Sequence, residues 1–229
     1  MGAIIPIVEG DGEERAVPLL LRRLQYECQR WDLQIAPPKN AHGRDNLLRS
    51  GGLERFLSYA WLEPECAAVL VLLDADEDCP KEIAPQLAER ARALNPPCPV
   101  AIVLAKCEYE AWFLASLETI AGQNLKGRAG LPAGVHFEGD VEAIRGVKDW
   151  ISRKMLPGRI YKETFDQAPM TALMDFSLAR ARSRSFRRLE HAFQELVEAV
   201  DKGEKCVTPI NRNEEEKCRK KPNSPQRSS

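Results

Sequence analysis

Little in this chain points to the commonest structural chemistries. The cysteines number seven and form no C-x-x-C pair, which argues against a disulfide framework and against a thiolate zinc site. Only three histidines are present, His42, His136 and His191, and none is near another in sequence. A bound metal would therefore have to be held by oxygen, which favours Mg²⁺ or Mn²⁺ over Zn²⁺. No apolar run approaches the ~20 residues of a membrane helix, and the N-terminus lacks a basic stretch leading into a long apolar one. The expected compartment is the cytoplasm, with no membrane partner. No G-x-x-x-x-G-K-[ST] loop occurs, so the chain carries no ATPase of that kind. Apolar residues become rare beyond Lys202, and residues 202–229 are expected to be disordered.

What is present is an ordinary globular composition, 44% hydrophobic and 29% charged, with an uneven distribution of sign. Lys and Arg number 14 against 20 Asp and Glu in residues 1–139, and 11 against 7 in residues 140–191. Acid lies in front and base behind, as suits a protein that holds cations in one region and meets a polyanion with another.

Apolar runs at residues 3–8, 67–73 and 100–105 have strand length, and "AAVLVLL" reads as a strand covered on both faces. Helical spacing fills the intervals, over residues 13–31, 53–62, 80–94 and 109–120. Pro6 conflicts with the first strand, because proline removes a ladder donor. Strands alternating with helices predict an α/β fold, a Rossmann-like parallel sheet flanked by helices, in residues 1–122. A basic helical extension is expected over residues 123–201, with a long amphipathic helix at 179–201 packed on the sheet.

In such a sheet, function concentrates beyond the carboxyl ends of the strands. Glu9 follows the first strand, Asp74 and Asp76 in "LLDADED" follow the next strong one, and Glu108 and Glu110 in "CEYEAWFLAS" follow the third. Glu13 lies one helical turn beyond Glu9 and points the same way. Carboxylates gathered on one rim repel one another, and a hard cation relieves the cost. Helix caps and first-turn acids explain Glu13 and Glu14 equally well, but they do not explain acid at three strand ends. For Glu108 and Glu110 a site role and a helix-start role stand level.

The stretch "VEGDGEE" after the first strand, with "LLDADED" after a later one, resembles the TOPRIM domain of topoisomerases, primases and OLD-family nucleases. With "CEYEAWFLAS", "YKETFDQAPMTALMDFS" and "SRSFRRLEHAFQEL", residues 3–200 resemble a bacterial TOPRIM-like family of unknown function, often encoded near ATPases of the ABC or AAA kind. The resemblance implies a TOPRIM fold and a Mg²⁺- or Mn²⁺-dependent nuclease acting on DNA or RNA, as the effector of a phage-defence system. It implies metal ligation by Glu9, Glu13, Asp74 and Asp76, with Glu108 added from the rim and Glu9 and Glu110 expected to be catalytic. Nucleic acid, such an ATPase and a second copy of this chain are the expected partners. Pro6 departs from the pattern.

Arg184, Arg187 and Arg188 fall within one helical turn, and with Lys148 they are the candidate nucleic-acid contacts; a solvated helix face is the plainer reading of the arginines. A HAD-type phosphatase fails on placement, since its D-x-D belongs after the first strand and Glu77 stands where Thr or Val is wanted. A receiver domain would use Lys106. The competing class is a non-catalytic TOPRIM-like adaptor that binds an ATPase partner.

Overall fold

The computed structural model describes residues 2–210. In chain order the elements are β1 (Ala3–Val8), α1 (Glu13–Glu27), β2 (Gln34–Ile35), β3 (Lys39–Asn40), α2 (Arg44–Leu48), α3 (Gly52–Trp61), β4 (Cys66–Asp74), α4 (Pro80–Ala93) and β5 (Val100–Ala105). There follow α5 (Ala111–Leu114), α6 (Leu117–Ile120), α7 (Val147–Lys154), a π-helical turn at Glu163–Gln167, α8 (Ala168–Leu173), α9 (Phe176–Arg182), α10 (Arg184–Lys202) and β6 (Val207–Thr208). The sheet order is β2-β1-β4-β5-β6, with β3 also on β1, and every pairing is parallel. This is the expected α/β architecture.

Alternate residues of each strand face opposite layers, and both layers are dry. Ile4, Val8, Leu70, Leu72 and Val103 pack against α1, α10 and the aromatic cluster Tyr109, Trp112 and Phe113. Ile5, Ile7, Val69, Val71 and Ile102 pack against α3 and α4. Burial on both sides is why the strands read as unbroken apolar runs rather than alternating ones.

Pro6 is accommodated without an edge. Gly2, Ile4 and Val8 turn their carbonyls toward β2 and β3, accepting from Gln34, Ala36 and Ala41. Pro6 shares their parity, and it falls in the gap between β2, which pairs Ala3 and Ile4, and β3, which pairs Ile7 and Val8. The missing N–H thus faces a place where no strand asks for one.

Two expected helices are broken. The stretch at 109–120 divides into α5 and α6 at Ser116, and that at 179–201 divides at Ser183, whose hydroxyl accepts from the Phe186 amide at 3.0 Å and caps α10. The apolar stripe of α10 lies where it was expected, with Phe186, Leu189, Phe193 and Leu196 buried on the sheet. The stretch at 123–201 is continuous with the sheet's core: Leu125, Val147 and Ile151 share one apolar cluster with β1 and β4.

The disorder expected from residue 202 begins too early, since Lys202 closes α10 and Val207–Thr208 add a parallel strand to β5. Composition missed it because a two-residue strand gains its stability from the edge it joins. Residues 211–229 of that stretch lie outside the described residues. Among the described residues no helix is long and apolar enough to cross a membrane.

Candidate functional site

The register of the sheet assembles the acids. Val8 stands opposite Leu72, so the chain leaving β1 at Glu9 emerges beside the last residue of β4. The Asp74 amide donates to Glu9 Oε2 at 3.1 Å. Asp74 stands opposite Ala105, and the loop after β5 returns the Tyr109 amide to Asp74 Oδ1 at 2.8 Å, which sets Glu110 next to it. The chain runs from β1 out to β2 and β3 and then back across to β4, so this is the point where the strand order reverses.

Glu13 joins from the first turn of α1, accepting from the Gly10 amide at 3.1 Å. A fifth side comes from the π-helical turn and the residues just before it. Gln167 Nε2 bridges Glu13 (3.2 Å) and Glu110 (3.1 Å), and the Tyr161 hydroxyl donates to Glu110 at 2.7 Å. This close packing requires Gly12: a Cβ there would lie 2.5 Å from Gln167 Oε1 and 2.8 Å from Glu163 Cβ. Its φ is −66°, so glycine serves here for lack of bulk and not for a special turn.

One cation stands inside this acidic wall. Lys148 Nζ lies 2.7 Å from Glu163 Oε1, 3.8 Å from Asp74 Oδ2 and 3.9 Å from Glu110 Oε2. Burial by itself would lower its pKa, but Glu110, Asp74 and Glu163 outweigh that and raise it, so the ammonium keeps its charge.

The carboxylates pay in the opposite direction. Glu9 is raised by burial and by repulsion from Glu13 and Asp76. Burial, then the neighbouring Glu110, pushes Asp74 well above the usual range. Glu110, fully buried, is raised to about 7 by desolvation, with Lys148 and the Tyr161 hydroxyl opposing. Glu110 Oε2 and Gln167 Oε1 are buried polar atoms with no hydrogen-bond partner. Two orphan oxygens and several strained acids describe a place with too little positive charge.

The remaining expected residues have different surroundings. Asp76 sits on the rim in a left-handed backbone (φ 48°), with Oδ2 3.7 Å from Arg44 Nε. Glu108 accepts from the Lys148 amide at 3.1 Å and so fixes the start of α7. Lys148, expected as a nucleic-acid contact, stands among these acids.

Each of the three arginines has a protein partner. Arg184 reaches Glu142 at 3.2 Å, Arg188 reaches Glu195 at 2.9 Å, and Arg187 donates to the Arg180 carbonyl at 2.6 Å. Arg184 and Arg188 border a groove of about 760 Å³ beside β5, with Lys81, Lys106, Ile102 and Leu104. Tyr161, Glu163 and Gln167 were not singled out in the sequence as site residues. The signal lay in "YKETFDQAP", where polar groups interrupt a helical stretch, but only the fold shows that this turn faces the strand ends.

Among the described residues, no three His, Cys, Asp or Glu side chains stand close enough to hold a metal ion as they are placed. The oxygen donors of Glu9, Glu13 and Asp74 are nevertheless the right kind for a hard cation, and Glu110 Oε2 beside them has no hydrogen bond.

Fold and site together define a parallel α/β protein with a buried acidic site at its strand-order switch. The model of a domain of unknown function, DUF4276, matches residues 8–194, and the chain belongs to that family. Neither a curated protein nor a solved structure matches it.

Proposed function

We propose that the chain is a metal-dependent phosphodiesterase of TOPRIM type acting on nucleic acid. The observation that carries this reading is the acid excess at the strand ends, Glu13, Asp74 and Glu110 buried and Glu9 half-buried, with Glu110 Oε2 left without a hydrogen bond. Glu9 and Asp74, flanked by Glu13, would hold Mg²⁺ or Mn²⁺, which when bound supplies Lewis-acid stabilisation of a phosphoryl oxygen and a nucleophilic water at neutral pH. Glu108 serves this site by holding α7 in place. Asp76, close enough to raise the Glu9 pKa, would add a ligand from the rim.

The chain's own groups divide the remaining work. Glu110, held at about 7, is poised to take and return a proton near neutrality. Lys148, charged and only partly enclosed, is placed to neutralise a phosphate oxygen that enters between Asp74 and Glu163. Arg184 and Arg188 border a groove suited to the backbone of the same substrate.

The test is incubation of plasmid, linear DNA and tRNA with the wild type and with Glu9→Gln, in Mg²⁺ and in Mn²⁺. Glu9→Gln keeps size and removes charge, so turnover should fall by a factor on the order of 10² or more. Equal inactivity of both proteins on every substrate, with an ABC- or AAA-type ATPase and ATP also supplied, would overturn the reading.

One observation favours the second reading, a non-catalytic adaptor for such an ATPase. The Lys148 ammonium already provides the acids with a counter-charge, and no three of them are spaced for a metal among the described residues. An adaptor would bind its partner equally well as Glu9→Gln.

A further inference from the structure

The end of the sheet away from the acids carries a second reactive pair. Cys66 opens β4 and Cys98 lies just before β5; their Sγ atoms are 3.7 Å apart. This meeting is arranged by an irregularity in the sheet. Ala3 pairs with Cys66 but Ile4 pairs with Ala68, so Ala67 is an extra residue in β4. In a regular strand Cys66, two residues before Ala68, would share the face of Ala68 and Leu70. The bulge turns Cys66 to the opposite face, where it packs in the α3 and α4 layer that also holds Cys98. Cys98 is 7% exposed, whereas Cys66 is half-buried and open to a small reagent.

We propose that Cys66 and Cys98 form a reversible dithiol site that reacts with hydrogen peroxide, Cys66 being the attacking sulfur and Cys98 the resolving one. The Cys66 thiolate attacks one peroxide oxygen; the O–O bond breaks, the sulfur is oxidised to sulfenic acid, and the departing hydroxide takes up a proton as water. The Cys98 sulfur then displaces the sulfenic oxygen as a second water and closes the disulfide. In total, two thiols and one peroxide give one disulfide and two waters.

The division of roles follows from exposure, Cys66 being half-buried and Cys98 buried. The contact with Cys98 lowers the Cys66 pKa, and the same contact, with burial, raises that of Cys98. The Trp61 indole N–H, buried without a hydrogen-bond partner, lies against Cys98 and is available to a sulfur that gains charge during exchange. The cross-link would tie the start of β4 to the segment entering β5, closing a loop between positions 32 apart in sequence.

The full chain should be treated with one equivalent of hydrogen peroxide and mapped by mass spectrometry. Expected are a loss of about 2 Da, a peptide linking Cys66 to Cys98, full reversal by dithiothreitol, and a melting temperature several degrees higher in the oxidised form. Cys98→Ser should leave a sulfenic acid on Cys66 that dimedone traps, and Cys66→Ser should give neither cross-link nor trapped species at Cys98. The proposal is overturned if both thiols remain open to alkylation after peroxide has oxidised the exposed Cys79, or if the cross-link joins another pair. Wild-type mapping decides the matter even where a serine variant does not fold.

Discussion

Two charge-rich regions of this protein have opposite characters. At the carboxyl ends of β1 and β4, acids are buried, crowd one another and rest on one ammonium. Along α9 and α10, arginines lie nearer the surface and are matched: Arg180 with Glu190 and Glu27, Arg182 with Glu118, Arg188 with Glu195. Matched surface pairs contribute little to stability and are cheap to keep. Crowded buried acids are costly, and this end of the sheet keeps them at a cost in stability. Charge density alone does not separate the two regions; burial with a single counter-charge does.

The sharpest way to break this contrast is to remove the counter-charge. Lys148→Met leaves Asp74, Glu110 and Glu163 facing one another, and in metal-free buffer it should lower unfolding free energy by about 3 kcal/mol, somewhat less where the ammonium meets solvent. Urea titration measures this. Mn²⁺ should restore most of the loss if the acids can hold a cation. An unchanged midpoint would mean that these carboxylates do not repel.

The next largest effect tests the packing that closes the site. Gly12→Ala places a methyl group against Gln167 Oε1 and Glu163 Cβ, and should cost about 1–3 kcal/mol by overpacking. A matched substitution at Gly43, whose added Cβ would meet nothing but whose φ is +119°, separates backbone strain from crowding. If Gly12→Ala is neutral by thermal denaturation, the π-helical turn does not press on α1.

A pH titration sharpens the comparison further. Glu110 moves from an ordinary 4.5 to about 7 on folding, so between these values the folded chain keeps a proton that the unfolded chain has lost. Its contribution is therefore most favourable below about pH 4.5, declines as pH rises to about 7, and is level above that. Glu110→Gln should flatten this part of the metal-free stability profile. A slope that survives the substitution would place the titration elsewhere.

The smallest effects belong to the arginines. Arg184→Gln and Arg188→Gln, on the groove, should each lower the slope of log K against log salt by roughly one unit for a DNA or RNA ligand, with stability changed by under about 0.5 kcal/mol. Arg187→Gln removes a donor to the Arg180 carbonyl and should affect melting more than binding. Salt slopes identical to wild type in both groove variants would leave those arginines as partners of Glu142 and Glu195 only.

Much of this could be read directly. The period and length of apolar runs determined the strands at 3–8, 67–73 and 100–105, because a strand covered on both faces has no other composition open to it. The α/β alternation and the acids at strand ends followed. Helix continuity was less legible: Ser183 breaks one amphipathic stripe by capping a new helix, a local hydrogen bond that periodicity does not register.

Other features depended on contacts between residues far apart in the chain. Pro6 is harmless only because β2 and β3 leave a gap beside it. Lys148 lies among acids only because α7, held by Glu108, points it back at β4. Gln167 and Tyr161 reach Glu110 across more than fifty positions, 57 and 51 respectively. The sequence by itself determined which segments would be strands and where their acids would emerge, since both depend on neighbours within a few residues. Only the tertiary structure decided which acids are buried together, which cation faces them and which oxygen is left without a hydrogen bond, because desolvation and charge interaction depend on distances that folding alone sets.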